Sequence, residues 1–175
     1  MAAKLIDLGQ AREAVLEKTA PLAIERVVLR EALGRRLAEG LTAREPVPAF
    51  DNSAMDGFAV RGEDTRGARP DAPVSLRVVG ESRAGRPAGA TLSAGEAIRI
   101  STGAVVPAGA DAVARVEATD TENGRVLVKE EVEAGRDVRR AGEDIGPGET
   151  VLGTGTRIGP AELGVALPLR PASGR

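Results

Sequence analysis

The sequence contains no cysteine and no histidine. Without a thiol or an imidazole, the chain cannot build a disulfide, a Ser-His-Asp triad or the usual zinc site from its own residues. A metal bound here must therefore be held by oxygen atoms, which favours Mg²⁺ or a similar hard cation. General acid–base chemistry falls to carboxylates or lysine.

Aromatic residues and long apolar runs are also scarce. The aromatic residues are Phe50 and Phe58, and the net charge is −2 with acids and bases interspersed. Nucleic-acid-binding proteins usually present a basic face with stacking aromatics, so we expect no nucleic-acid partner. No apolar run approaches the length of a membrane span, and the N-terminus lacks the apolar core of a signal peptide. We therefore expect a cytoplasmic protein with no membrane partner.

Glycine and proline are abundant, and they predict many turns. The 22 glycines and 11 prolines favour short strands over a helical bundle. The pair Asn123-Gly124 predicts a hairpin turn. Alternating apolar residues predict short strands at 58–60, 74–78, 98–100, 112–116 and 125–128. The predicted fold class is α+β and β-rich, with a small β-barrel or sandwich.

Helical patterns lie near both ends of the chain. Asp7 is a suitable cap for a helix over 7–18, and Pro160 suits the first turn of a helix that runs to 167. A strand over 25–29 and a helix over 31–38 are predicted between them. Residues 150–152 and 156–158 are predicted to pair as two short strands.

The stretch from residue 46 to 61 holds the densest run of short polar side chains. Pro46 and Pro48 stiffen its start, and Gly57 is expected to allow an unusual backbone angle. Its short polar residues are Asp51, Asn52, Ser53 and Asp56. Two interpretations remain open: a functional loop held on a scaffold, or a turn whose side chains bond their own backbone.

Two other clusters carry chemistry-bearing side chains. Ser101 and Thr102 precede Gly103, so a hydroxyl with free backbone N–H groups would make an anion-binding concavity, although most such turns are only turns. The other cluster comprises Arg139, Arg140, Glu143 and Asp144. Its arginines suit oxyanions and its carboxylates suit Mg²⁺, but a surface ion-pair network is the more common arrangement.

Three segments, in this order, resemble motifs of one family. They are FDNSAMDGFAVR at 50–61, ISTGAVVP at 100–107 and RRAGEDI at 139–145. Together with 109–113, 155–157 and 160–164, they are similar to segments of the molybdopterin molybdenumtransferases. These molybdenum insertases include the E domain of gephyrin. The resemblance covers essentially the whole chain.

The resemblance implies a function and a set of site residues. Family members insert molybdate into adenylylated molybdopterin and release AMP, with Mg²⁺ assisting. The implied catalytic residues are Asp56, Thr102 and Asp144, of which Asp56 and Asp144 are also implied metal ligands. Residues implied to bind substrate or an anion are Asn52, Ser53, Ser101, Arg139 and Arg140.

The resemblance also implies a domain organisation. Residues 1–45 and 142–175 are expected to form one discontinuous, elongated domain that makes a homodimer, with a β-rich domain inserted over 46–141. The family continues with a molybdopterin-binding α/β domain that these 175 residues do not include. We therefore expect the chain alone not to insert molybdenum. The alternative is a non-enzymatic dimerisation or scaffold module derived from the same family.

Overall fold

The structure is a computed structural model that describes residues 6–167 and 169. Within them, helix α1 spans Leu8–Leu16 and helix α2 spans Pro160–Ala166. The strands are β1 Leu41–Thr42, β2 Asn52–Ser53, β3 Gly57–Val60, β4 Val74–Ser82, β5 Glu96–Ile100, β6 Ala112–Arg115, β7 Thr119–Glu122, β8 Arg125–Val128, β9 Val138–Arg139 and β10 Thr150–Leu152.

Six strands form one mixed sheet in the order β6-β3-β5-β4-β8-β7. The pair β4–β5 is parallel and the other pairs are antiparallel. The sheet curls into an open half-barrel, which confirms the β-rich α+β fold class. Because alternate side chains point to opposite faces of a strand, each face has its own buried cluster. One cluster contains Phe58, Leu76 and Val126, and the other contains Ala59, Ile98 and Val113.

The hairpin between β7 and β8 is formed as the sequence predicts. Asn123 and Gly124 have φ values of 48° and 75°. Both central residues of a type I′ turn need positive φ, which asparagine and glycine adopt most readily. The prediction of this turn is confirmed.

Both predicted terminal helices are present, in slightly shorter form. The Asp7 carboxylate accepts hydrogen bonds from the N–H groups of Gly9 (2.7 Å) and Gln10 (3.2 Å), which caps α1. Pro160 is the first residue of α2, where its missing N–H costs no hydrogen bond.

The predictions between residues 25 and 38 are wrong. A single 3₁₀ turn, Leu29–Glu31, replaces the strand over 25–29 and the helix over 31–38. Gly34 has a φ of 81°, which ends helical geometry, and its N–H donates to Ile158 O (2.8 Å). The Leu37 N–H donates to Thr156 O (3.0 Å). The backbone here pairs with a distant segment, which competes with local helix formation.

The predicted pairing of 150–152 with 156–158 is also wrong. Strand β10 pairs with β1, with Leu41 opposite Leu152, and residues 156–158 bond to the segment around Gly34 instead. Backbone hydrogen bonds therefore join residues 34–41, near the N-terminus, to residues 152–158, near the C-terminus. The division into a discontinuous domain and an inserted domain remains a prediction.

Neither helix of the described residues has the length and apolar character needed to cross a membrane. The cytoplasmic location stays a prediction.

Candidate active site

Strand β2 lies at the meeting point of the three motif segments. It pairs with β9 on one side, which places Asn52 opposite Arg139. On its other side, the Ser53 N–H donates to Ala104 O (3.0 Å) and the Gly103 N–H donates to Ser53 O (2.8 Å). The first motif is thus the middle of three extended segments, and the second and third motifs flank it.

Asp56 and Thr102 are in direct contact. The Asp56 Oδ1 accepts hydrogen bonds from the Thr102 N–H (2.7 Å) and the Thr102 hydroxyl (3.1 Å). These two donors, the backbone N–H foremost, lower the pKa of the Asp56 carboxyl, and the positive charge of Arg99 adds to the effect. Asp56 is solvent-exposed, and its Oδ2 has no hydrogen-bond partner among the described residues. The site therefore presents an ionised carboxylate with one oxygen fixed and the other open.

The turn at residues 101–104 closes with a hydrogen bond from the Ala104 N–H to Ser101 O (2.9 Å). Gly103 has a φ of 77°, the positive angle that a type II turn requires. The expectation of free N–H groups here is wrong. The Ser101 N–H donates to Ser82 O (3.1 Å). The Thr102 N–H donates to the Asp56 carboxylate, and the Gly103 N–H donates to Ser53 O in β2. All the backbone N–H groups of the turn are therefore bonded, two of them to the first motif, and no N–H group is left for an anion.

Asn52 and Ser53 are buried, and their side chains serve the local backbone. The Ser53 hydroxyl donates to Met55 O (2.5 Å) and accepts from the Met55 N–H (3.3 Å). The Asn52 side-chain amide donates to Phe50 O (3.2 Å). These are the turn contacts of the second interpretation of this stretch. An anion-binding role for either residue stays a prediction.

The third motif forms a network of ion pairs. Arg139 contacts Asp144 and lies 3.5 Å from a Glu143 oxygen. Arg140 donates to Asp51 (2.6 Å). The Ala141 N–H (2.8 Å) and then Arg140 lower the pKa of the Asp51 carboxyl. Both arginines are therefore neutralised by carboxylates, and their predicted roles in anion binding, like that of Asp144 in catalysis, remain predictions.

A cavity of about 340 Å³ opens at Asp56. Its lining residues are Asp56, Gly57, Phe58, Arg99, Ile100, Ser101, Val116, Thr119 and Thr121. Asp144, Arg139 and Arg140 do not line it. The structure thus brings Asp56, Ser101 and Thr102 together and places the third motif's charges in a separate cluster, connected to them through β2.

The sequence analysis missed Arg99, Thr119 and Thr121 as cavity residues. Arg99 is the exposed residue of an otherwise apolar run at 97–100, directly before the second motif, which is a signal the sequence did offer. Thr119 and Thr121 lie on β7, which the curl of the sheet brings to the cavity. Nothing local in the sequence indicates that placement.

Gly57 is essential for a reason other than the one expected. Its φ is not positive, so it needs no glycine-only backbone angle. A Cβ built on Gly57 would lie 2.0 Å from Ala114 O on the neighbouring strand β6. Glycine therefore permits the close approach of β6 to β3, directly beside Asp56.

Comparisons with known proteins identify relatives of this chain. The family model "MoeA N-terminal region (domain I and II)" matches residues 6–169. Molybdopterin molybdenumtransferase 2 of Mycobacterium tuberculosis (strain H37Rv) is 47% identical over 143 residues, which are 82% of this chain and 35% of that protein. The molybdopterin molybdenumtransferase of Synechococcus elongatus is 42% identical over 165 residues, 93% of this chain and 41% of that protein.

A solved structure shares the fold. The crystal structure of the molybdopterin biosynthesis moeA protein from Pyrococcus horikoshii OT3 superposes with a TM-score of 0.89 at 36% identity, over 95% of this chain and 44% of that one. The chain spans 35% to 41% of the length of these two curated relatives. Because the family model covers all of the described residues, the chain belongs to the family of the MoeA N-terminal region.

Proposed function

We propose that this chain acts in molybdenum cofactor biosynthesis. It would serve as the N-terminal part of a molybdopterin molybdenumtransferase, which inserts molybdate into adenylylated molybdopterin and releases AMP. The contact between Asp56 and Thr102 carries the proposal, because two residues 46 positions apart meet around one exposed, ionised carboxylate. The names of the relatives support the biosynthetic role.

The residues fit a weak Mg²⁺ site that the substrate completes. Mg²⁺ is usually bound by one or two carboxylates together with water and substrate phosphates. Within the described ranges, no three acidic side chains lie together as a metal-binding group. Asp56 offers its open Oδ2, and Thr102 fixes the carboxylate. When bound, Mg²⁺ would supply positive charge to substrate oxygens.

We propose that Asp144 supplies the active site with a second carboxylate, as a catalytic residue and metal ligand. Arg139 holds this carboxylate much as Thr102 holds that of Asp56. We place Asn52 and Ser53 in support of the loop, since their side chains are buried against local backbone. Ser101 faces the Asp56 cavity and is proposed to contact substrate there. Arg139 and Arg140 would bind oxyanions only by exchanging their present carboxylate partners.

We propose that these residues form one half of the active site. A pterin pocket needs a concave and mostly apolar wall. The Asp56 cavity is lined largely by polar and charged side chains, and Phe58 is its aromatic residue. The relatives' length beyond the matched region is where the pterin-binding wall would be expected.

The test measures AMP release from adenylylated molybdopterin in the presence of molybdate and Mg²⁺. It compares the 175-residue chain with a chimera in which this chain replaces the matched part of the M. tuberculosis relative. We expect turnover by the chimera, none by the chain alone, and loss of turnover with Asp56→Asn. Asp71→Asn, an exposed residue paired with Arg69, is the matched control and should stay active.

Turnover by the isolated chain would overturn the half-site. A folded chimera that binds Mg²⁺ but never releases AMP would contradict the enzymatic function. It would instead support the second candidate, a dimerisation or scaffold module.

We also propose a homodimer formed by the N-terminal region. Eight of the eleven exposed large hydrophobic side chains of the described residues lie between residues 6 and 33, which is the pattern of an uncovered interface. This observation supports both candidate functions equally. Sedimentation should find dimers at tens of micromolar, and a monomer at that concentration would contradict the proposal.

A further inference from the structure

Arg99 is an exposed arginine that forms no salt bridge with another residue of the described part of the chain. It lies on β5, opposite Phe58 on β3 and beside Glu81 on β4. Glu81 forms its ion pair with Arg83 (2.8 Å) instead. Within the described residues, no carboxylate oxygen lies within 4.0 Å of the Arg99 guanidinium. Its five donors therefore remain directed to solvent or to a ligand.

Two adjoining cavities meet at this side chain. The Asp56 cavity of about 340 Å³ and a second cavity of about 270 Å³ share Phe58, Arg99 and Thr121. We call the two together the Arg99 trough. At its far end lie Glu122, Asn123 and Arg125, and the Arg125 guanidinium is already bonded to Ser75 (2.6 Å to the hydroxyl). Arg99 is thus a cation of the trough whose guanidinium makes no ion pair or hydrogen bond with a described residue, whereas Arg125 is held by Ser75.

The hydroxyls beside Arg99 have the chemistry to complete an oxyanion site. Thr121 is exposed and its hydroxyl makes no hydrogen bond with a described residue. The Thr119 hydroxyl donates to Val116 O (3.0 Å). Arginine presents a planar fork of N–H donors that matches the oxygens of phosphate and similar anions. Arg139 and Arg140 lack this freedom because carboxylates occupy them.

We infer that the Arg99 trough binds a phosphate-type tetrahedral oxyanion through Arg99 and Thr121. The inference deepens the proposed function, on which its substrate class rests. The oxyanion would be either the phosphate group of a nucleotide or free molybdate. A bound anion would lie in the cavity that Arg99 and Asp56 both line, and a hard cation held by the Asp56 carboxylate would supply positive charge that offsets the repulsion between the two negative groups.

The experiment measures binding directly, with no turnover step. Backbone amide shifts of the ¹⁵N-labelled 175-residue chain are followed by NMR during separate titrations with AMP, inorganic phosphate and molybdate at low salt, each with Mg²⁺. We expect shifts at Arg99, Ser101 and Thr121, and affinity reduced about tenfold or more by Arg99→Gln. Arg99→Lys should keep part of the affinity. Arg86→Gln makes the same charge change outside both cavities and should bind as the wild type does.

The three titrations separate the two sources of the oxyanion. Tighter binding of AMP than of phosphate and molybdate assigns the trough to the nucleotide, and tighter binding of molybdate assigns it to the free oxyanion. Shifts confined to residues 139–144, or equal affinity loss in Arg99→Gln and Arg86→Gln, would overturn the inference. Binding at Arg99 without turnover in the chimera would leave this inference standing and refute the proposed enzymatic function.

Discussion

Residues 6–42 leave their apolar side chains exposed or partly exposed, whereas the six-stranded sheet buries many of its own. From residue 6 to 42 no residue is buried, and Leu22 and Leu8 are 94% and 87% exposed. In the sheet, all four residues of β3 are buried, and Ile98 is 0% exposed. Both regions carry apolar residues in regular patterns. The sheet finds its partners within the chain, whereas the N-terminal region does not.

This difference bears on how each region is stabilised. Helix α1 has nine residues and no buried side chain. Isolated helices shorter than about 12–15 residues are marginal in water, so the stabilisation from the Asp7 cap is not enough by itself to keep α1 folded. The sheet, by contrast, gains from long-range pairs such as Gly57 with Arg115. We therefore expect substitutions in the sheet to change folding stability and substitutions in the N-terminal region to change association.

The largest effect is expected for Gly57→Ala. The new methyl group would lie 2.0 Å from Ala114 O, so β3 and β6 must separate. We expect a loss of more than about 3 kcal/mol in the free energy of unfolding. Urea unfolding followed by far-UV circular dichroism measures it, since the chain has no tryptophan or tyrosine. Gly89→Ala meets no atom within 4 Å and should change stability by less than about 0.5 kcal/mol. Equal stabilities for the two variants would show that β6 does not approach Gly57.

A truncation in each region tests the comparison directly. Ile98→Ala should lower the unfolding free energy by about 2–5 kcal/mol, because it leaves a cavity between packed neighbours. Leu22→Ala should cost less than about 0.5 kcal/mol at a protein concentration where sedimentation finds monomers. The same urea series measures both. A large loss for Leu22→Ala in the monomer would mean that the N-terminal region is packed within a single chain.

A smaller effect is expected at the junction between the sheet and β9. Arg115 donates two hydrogen bonds of 2.8 Å to Asp137, whose side chain is 10% exposed. Asp137 has a φ of 56°, which asparagine tolerates well, so Asp137→Asn changes the charge with little backbone strain. We expect a loss of about 2 kcal/mol. Asp120→Asn, which breaks an exposed pair with Lys129, should cost less than about 0.5 kcal/mol. Matching losses in these two variants would refute a special role for the Arg115–Asp137 pair, whose carboxylate is the shielded member.

The same pair predicts a dependence of stability on pH. The hydrogen bonds from Arg115, foremost, lower the pKa of Asp137 below its ordinary value of 3.8. A lowered folded-state pKa stabilises the protein fully above that ordinary value, and the stabilisation is lost as the pH falls through the folded pKa. The stability gap between wild type and Asp137→Asn should therefore narrow below about pH 4. A gap that stays constant through acid unfolding would contradict this account.

The smallest effect on folding, and a clear one on association, is expected for Leu22→Ser. At monomer concentrations its unfolding free energy should match the wild type within about 0.5 kcal/mol. In a homodimer that buries Leu22 of both subunits, the dissociation constant should rise by about tenfold or more. The reason is that the substitution removes buried apolar area from both copies. Sedimentation across a concentration series measures it. An unchanged dissociation constant would place the dimer interface elsewhere.

Local features of this chain were predictable where a short segment decides its own geometry. Asn123-Gly124 needs only its own backbone preferences to make the turn between β7 and β8. Asp7 and Pro160 act within one helical turn of themselves. The segment over 25–38 failed because Gly34 and Leu37 bond to residues near 156–158. Pairing with a segment more than a hundred residues away produces no local sequence pattern from which it could be predicted.

The candidate site divides in the same way. Motif similarity picked out Asp56 and Thr102, and the structure puts them in contact. Motif similarity did not indicate that the backbone N–H groups of the turn at 101–104 are all hydrogen-bonded within the chain. It also did not indicate that Arg139 and Arg140 form ion pairs with carboxylates. Hydrogen-bond donors and charges are used up by whichever acceptors the fold brings near. Their availability is therefore a tertiary property.

Residue types and local spacing were enough to predict a β-rich fold and to restrict metal ligands to oxygen atoms, and the resemblance of three motifs to one family singled out Asp56 and Thr102. The close approach of Ala114 O to Gly57 could be seen only in the folded chain, as could the position of Arg99, which has no salt-bridge partner among the described residues and lines the same cavity as Asp56. The tertiary structure alone also left the apolar residues of 6–33 uncovered. Each of these outcomes depends on which distant atoms become neighbours, and that is fixed by the curl and pairing of the strands.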